Sequence, residues 1–467
     1  MEKPKIISDK VKKQKASKSN AKKVVILGAL GRDLHNFNVY FRNNRRYHVV
    51  AFTQAPGQAL SELGRLPKRV YPPELAGKLY PNGIPFLPEK DLSEIINSYN
   101  VDEVILAYSD LSYNDVGHKA AIALANGADF RLMGPKTTML KSNKFVISIC
   151  AVRTGAGKSP TSRKVSQILR KHGVRFVVIR HPMPYGDLSK MVVQRFTNKN
   201  DLSVYNSTIE EREEYEPHLE EGNILYAGVD YEKILRAAEK EAEVIIWDGG
   251  NNDLPFIKPN LHIVIADARR PGHEMTYYPG EANMRMADVV VVNKIDTSNP
   301  YDVESVVNNI AAVNPKAVIV RAAMPGYVDK PELIRGKRVL VIEDGPTLTH
   351  GGLSFGAATI AAKNLGAYII NPRNNAVGSI RSVLEEYPHL GAVLPAMGYS
   401  KKQMEELEKT INTTECDSVL IGTPVDLRSL LNINKPAARV RYELQEIMKP
   451  DLESIISRVL KSERIIE

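Results

Sequence analysis

Arg153-Thr154-Gly155-Ala156-Gly157-Lys158-Ser159 follows the apolar run Phe145 to Ile149 and precedes Thr161 to His172, where Val165, Ile168 and Leu169 fall on one helical face. Strand, glycine-rich turn, lysine, hydroxyl and helix in that order are the parts of a phosphate cradle. Glycine lets the backbone amides of Thr154, Gly155, Ala156 and Gly157 close around phosphate oxygens at a helix N-terminus. Lys158 supplies charge to the β and γ phosphates of ATP, and the Ser159 hydroxyl is a ligand for Mg2+. Pro160 fits because the first helical turn has spare amide donors. One position departs from the motif: Val152 stands where its first glycine normally does.

Such a cradle needs a carboxylate near the metal. Asp248 ends the apolar run Val244-Ile245-Ile246-Trp247 and is followed by Gly249 and Gly250, so it is expected to hold Mg2+ with Ser159. Asn293-Lys294-Ile295-Asp296 follows Val289 to Val292 in the arrangement that G-proteins use to read guanine, which leaves the base open between GTP and ATP. Further candidates stand just past strand ends: Arg180 and His181, Arg269, Arg270 and His273, then Glu343-Asp344. In an open parallel sheet ligands bind beyond the carboxyl ends of strands. Arg180, His181, Arg269 and Arg270 are therefore expected to bind substrate, with His273 beside them and Arg153 and His350 as reserves. Lys158, Asp248, Arg180, His181, Arg269 and Arg270 are expected to carry the chemistry. Repulsion among these cations would be relieved by an anionic ligand.

The elements that must position these residues have an α/β rhythm, with short valine- and isoleucine-rich runs alternating with amphipathic stretches. The expected fold is an N-terminal Rossmann-like domain, a P-loop domain with a mostly parallel sheet, and a C-terminal α/β extension. The expected bounds are a basic disordered tail at 1–22, the Rossmann-like unit at 23–142, the P-loop unit at 143–345 and the extension at 346–467. Strands are expected at Val24 to Leu27, His48 to Thr53, Glu103 to Tyr108, Arg175 to Ile179, His262 to Ala266 and Ser418 to Gly422, with Arg338 to Ile342 in the central sheet. Thr208 to Asn223, dense in glutamate, reads as a solvated helix or, as the alternative, a mobile cover. The Gly28-x-x-Gly31 turn lacks a full dinucleotide fingerprint, so the first unit is expected to dock or recruit substrate.

A chain of 467 residues with 43% hydrophobic and 25% charged side chains is globular in composition and long enough for two or three domains. Much of the net charge of +9 sits in the lysines before Val24, and no nucleic-acid module accompanies it. The 2 cysteines, Cys150 and Cys416, are too few for a disulfide framework or a thiolate zinc site. No apolar run approaches the roughly 20 residues that span a bilayer. A cytoplasmic enzyme and a homodimer are expected, without nucleic-acid or membrane partners.

Taken together, Gly31-Arg32-Asp33-Leu34-His35-Asn36-Phe37-Asn38, Arg153 to Ser159, Arg180 to Gly186, Trp247 to Asn252, Arg270-Pro271-Gly272-His273-Glu274 and Glu343 to Gly352 resemble the archaeal cyclic 2,3-diphosphoglycerate synthetases. The resemblance covers nearly everything after the lysine tail. It implies an ATP- and Mg2+-dependent closure of 2,3-diphosphoglycerate into a cyclic phosphoanhydride, with release of ADP and phosphate. Two other readings stand beside it: a GTPase regulator or metal chaperone, and a 2-phosphoglycerate kinase.

Overall fold

The computed structural model describes residues 21–29, 31–54, 70–181, 186–250, 252–349, 354–396, 401–423 and 425–467. The tail expected at 1–22 lies outside them except for its last two residues, and Lys22 opens the first strand, Lys22–Leu27.

Three sheets follow one another along the chain. In the first the order is Val70–Tyr71, Ile84–Pro88, Tyr47–Gln54, Lys22–Leu27, Glu103–Leu106, Asp129–Leu132, all parallel except for the first pair. Val24, Val25, Ile26 and Leu27 are all fully buried. A strand covered on both faces is therefore uniformly apolar rather than alternating.

The second sheet has 9 strands, with Phe145–Ala151 at its centre between Val244–Asp248 and Leu261–Asp267. Phe176–Arg180 lies outside the former and Val289–Asn293 outside the latter, all parallel. The chain leaves Phe145–Ala151 through the helix Lys158–Lys171 and crosses to one side, then returns to the other. The carboxyl end of that central strand is thus a switch point, where a parallel sheet opens a crevice for ligand. Val165, Ile168 and Leu169 of the helix pack into the core that holds Phe145, Ile147 and Ile149.

The third sheet contains Gly326–Val328, Ala437–Tyr442, Ser418–Gly422, Arg338–Asp344 and Tyr368–Ile369, with Leu394–Ala396 also paired to Arg338–Asp344. Arg338–Asp344 was expected in the central sheet and instead is the middle of the third. An apolar strand pattern does not record which sheet it joins; that is decided by its partners, Ser418–Gly422 and Leu394–Ala396. The chain then comes back to the central unit. Gln445–Glu446 pairs with the edge strand Val318–Ala323, and Leu452, Ile455, Ile456 and Leu460 of the last helix join the core beneath the P-loop helix.

The first unit meets the central one through a two-stranded pairing of Leu111–Ser112 with Tyr277–Tyr278. Among the described residues no helix is long and apolar enough to cross a membrane.

Candidate active site

Gly155 and Gly157 have φ of +77° and +111°, so the loop between strand and helix turns through backbone conformations that favour glycine. At Gly157 a side chain is excluded twice, because a Cβ there would lie 2.1 Å from Asn293 Nδ2. Asn293, at the end of Val289–Asn293, donates through that Nδ2 to the Ala156 carbonyl at 2.8 Å. Lys294 donates to the Gly155 carbonyl and stands 3.0 Å from Asp267 Oδ2. Burial lowers its ammonium pKa to about 8, against the pull of Asp267. Asp296 accepts from the Met324 amide at 3.0 Å. Asn293 and Lys294 thus bracket the loop from beneath.

Val152 is accounted for in the same way. Its amide bonds the Ile265 carbonyl at 2.9 Å and its carbonyl accepts from Asn252 Nδ2 at 3.0 Å, so it continues the sheet and is 1% exposed. Glycine is unnecessary at a position that faces core rather than phosphate.

Lys158 Nζ lies 2.6 Å from Asp248 Oδ1, and both are buried. The other carboxylate oxygen, Oδ2, accepts from His218 Nε2 at 3.0 Å. Asn223 Nδ2 stands 3.3 Å from His218 Nδ1, which fixes Nδ1 as the acceptor and Nε2 as the protonated nitrogen. Burial would raise the Asp248 pKa, but Lys158, Arg180 and His218 hold it far below the usual carboxylate range. Arg180, 2% exposed, donates from Nη1 to the Asp248 carbonyl at 2.8 Å and to the Gly249 carbonyl, while its Nη2 lies 2.6 Å from Glu214 Oε2. Burial would lower the Arg180 pKa, and Glu214 with Asp248 raises it overall.

His218 and Glu214 come from the helix Ile209–Glu220, the glutamate-rich stretch expected to be solvated. It is instead wedged over the cradle. Glu211, Glu213, Glu216 and His218 are buried. On its far side Glu213 accepts from Thr423 Oγ1 at 2.8 Å, and Glu220 lies 3.8 Å from Arg439 and 3.7 Å from Arg441. Tyr215 and Leu219 pack into the central core, but most of its buried side chains are charged or polar, so its apolar stripe is only these two residues.

The remaining candidates divide between two places. Arg270 Nη2 donates to the Thr154 carbonyl at 2.7 Å and stands 3.0 Å from Asp267; Arg269 is 3.5 Å from the same carboxylate. Arg153 bonds Asp110 at 2.6 Å, lies over the Tyr277 ring at 3.7 Å and meets His273 Nδ1 at 2.8 Å. His181 is turned away from this row and stands 2.6 Å from Asp253 Oδ2, its ring against Gly250. His350 lies outside the described residues. The expectation of cations repelling one another is corrected by these pairings: Glu214, Asp267 and Asp110 each neutralise a guanidinium. Glu214, His218, Asp110 and Asp253 were missed; Asp110 and Asp253 stand in loops whose acids carry no periodic signal.

Among the described residues no three His, Cys, Asp or Glu side chains gather as a metal cage. Ser159 and Asp248 offer oxygen donors only, the hard set that suits Mg2+ completed by phosphates and water.

The chain is 59% identical over 442 residues to arginine synthetase ArcE of Thermococcus kodakarensis, covering 94% of this chain and 97% of that protein. It belongs to that synthetase family. A family model described as the P-loop domain of cyclic 2,3-diphosphoglycerate synthetase matches residues 221–323. The cyclic 2,3-diphosphoglycerate synthetase of Methanothermobacter thermautotrophicus is 23% identical over 293 residues, 56% of this chain and 61% of that one. Among solved structures, LpxK from Aquifex aeolicus covers 79% of this chain and 99% of its own at 13% identity, with a TM-score of 0.40. The family is therefore a P-loop synthetase family, and the family model takes in Asp248 and the Asn293 segment while the glycine-rich loop Thr154 to Ser159 lies before its first matched residue.

Proposed function

We propose that this protein is an ATP- and Mg2+-dependent ligase that makes arginine from its ureido counterpart, citrulline, and ammonia. The observation that carries the reading is the 59% identity to an arginine synthetase along 94% of the chain. A ureido carbon does not accept ammonia unless its oxygen is made a leaving group. Transfer of the γ-phosphoryl group of ATP to that oxygen does so; ammonia then forms the new C–N bond, and phosphate departs, leaving ADP.

Lys158 and Arg180 are placed to stabilise the transferring phosphoryl group, with Lys158 exchanging Asp248 for phosphate oxygens when nucleotide enters. Ser159 and Asp248 would hold Mg2+, which offsets the charge that builds on the phosphates. Glu214 and His218 close the site from above and keep water from the activated intermediate.

The charge balance supports this substrate over the cyclic diphosphoglycerate first expected. Arg153, Arg180 and Arg270 each have a carboxylate within 3.0 Å, whereas a bisphosphate asks for surplus cations. Closure of 2,3-diphosphoglycerate remains the second reading, favoured by the family model at 221–323. The regulator reading rests on Asn293 to Asp296, of which Asn293 and Lys294 hold the glycine-rich loop and Asp296 would have to read the base.

The test is incubation of the purified protein with Mg2+ and ATP plus either citrulline and ammonium or 2,3-diphosphoglycerate. Arginine formed in step with ADP supports the proposal. A new phosphoanhydride resonance with 2,3-diphosphoglycerate, and no arginine, sinks it.

A further inference from the structure

Arg32, in the short helix Arg32–Asn36 after the first strand, is 2% exposed, and no carboxylate of the described residues lies within ion-pair distance of it. Its Nη1 is fixed on the Leu254 carbonyl at 3.0 Å, while Nε and Nη2 have no hydrogen-bond partner among the described residues. Those two N–H groups form one edge of the guanidinium, the edge that grips a carboxylate with two parallel hydrogen bonds. One turn on, Asn36 is fully buried, and among the described residues neither of its amide atoms is bonded and the buried Tyr278 hydroxyl and Asp253 Oδ1 are also without hydrogen-bond partners.

The segment Asn252 to Leu254 ties these groups to one another and to the P-loop. Arg32 holds the Leu254 carbonyl beside Asp253, and Asn252 Nδ2 bonds the Tyr278 carbonyl at 3.3 Å and the carbonyl of Val152, which leads into the cradle, at 3.0 Å. Water could satisfy an amide or a hydroxyl, but a buried guanidinium without a counter-charge is costly until an anion reaches it.

We infer that the Nε/Nη2 edge of Arg32, flanked by Asn36 and Tyr278, receives the carboxylate of the small-molecule substrate. If the substrate is an α-amino acid, a point that rests on the arginine reading, Asp253 Oδ1 takes the ammonium while its Oδ2 stays on His181. The first unit is then a recruiting module, holding the substrate's inert end while its reactive end meets the phosphates.

Two measurements on Arg32→Met test this. The first is calorimetry of the ligand-free protein. A residue kept for a ligand leaves the melting temperature unchanged or higher when removed, because a buried unpaired charge goes with it; a fall of more than about 4 °C marks Arg32 as structural and overturns the inference. The second compares citrulline with the analogue in which hydrogen replaces the carboxylate. The substitution should cost about 100-fold in kcat/KM on citrulline and almost nothing on the analogue; equal losses on both overturn it. If the wild-type protein makes no arginine at all, the arginine reading fails, while the calorimetry still decides for or against Arg32 as an anion-receiving group.

Discussion

His218 Nε2 reaches Asp248 Oδ2 at 3.0 Å, on the side of the carboxylate opposite Lys158, so two cationic or proton-bearing groups from different helices fix one buried acid. The strand supplies the carboxylate, and the acidic helix supplies its orientation.

Removal of His218 by substitution with alanine should lower kcat by about one to two orders of magnitude and leave the KM for ATP nearly unchanged. Asp248 would keep Lys158 but lose its rotational restraint. Steady-state kinetics with ATP varied would check this, and a large rise in KM with kcat intact would contradict it.

Lys158→Ala and Asp248→Asn should each lower nucleotide turnover by about three orders of magnitude without loss of the fold. ADP release, with circular dichroism as the control for folding, is the measurement.

Gly157→Ala should destabilise the protein by about 1–3 kcal/mol. The φ of +111° is unfavourable for alanine, and the new Cβ would lie 2.1 Å from Asn293 Nδ2. Denaturant titration would read the loss directly. Adding Asn293→Ala should recover part of it by removing the clash while leaving the backbone strain.

Asp267 gives the acid limb of the stability profile. Burial raises its pKa, but Lys294, Arg270 and Arg269 bring it down to about 2 from an ordinary 3.8. A folded-state pKa below the unfolded one means stability that is present above pH 3.8 and lost as pH falls through about 2. Chemical denaturation across that window should show the loss in the native protein. Asp267→Asn should be less stable at neutral pH and should lack this component of the acid slope.

The strand, glycine-rich turn and helix around Lys158 were legible because each part is local: an apolar run, glycines, a lysine, a hydroxyl and a helix follow one another within a few turns. The strand-end position of Asp248 was legible in the same way. Arg338–Asp344 was recognised as a strand but assigned to the wrong sheet, since pairing with Ser418–Gly422 depends on residues about 80 positions away. The acidic helix was read first as solvated, with a mobile cover as the alternative, and its burial was missed for a different reason. Burial is usually signalled by apolar periodicity, and Glu213, Glu214 and His218 are held by Thr423, Arg180 and Asp248 instead. Asp110 could not be found at all, because its partner Arg153 meets it only when the first two units dock.

The pairing of Ala322 with Glu446 and Ala323 with Gln445 brings the two ends of the third sheet's segment side by side at the edge of the central one. The intervening chain is therefore a cassette: a short hairpin in its place would reconnect the central fold without moving a strand. Such an excision would spare the cradle and Asp248 yet remove Thr423, Arg439 and Arg441, the groups that grip the outer face of the acidic helix. The cassette thus braces the helix that roofs the site, and it joins the central sheet only through that edge pairing among the described strands.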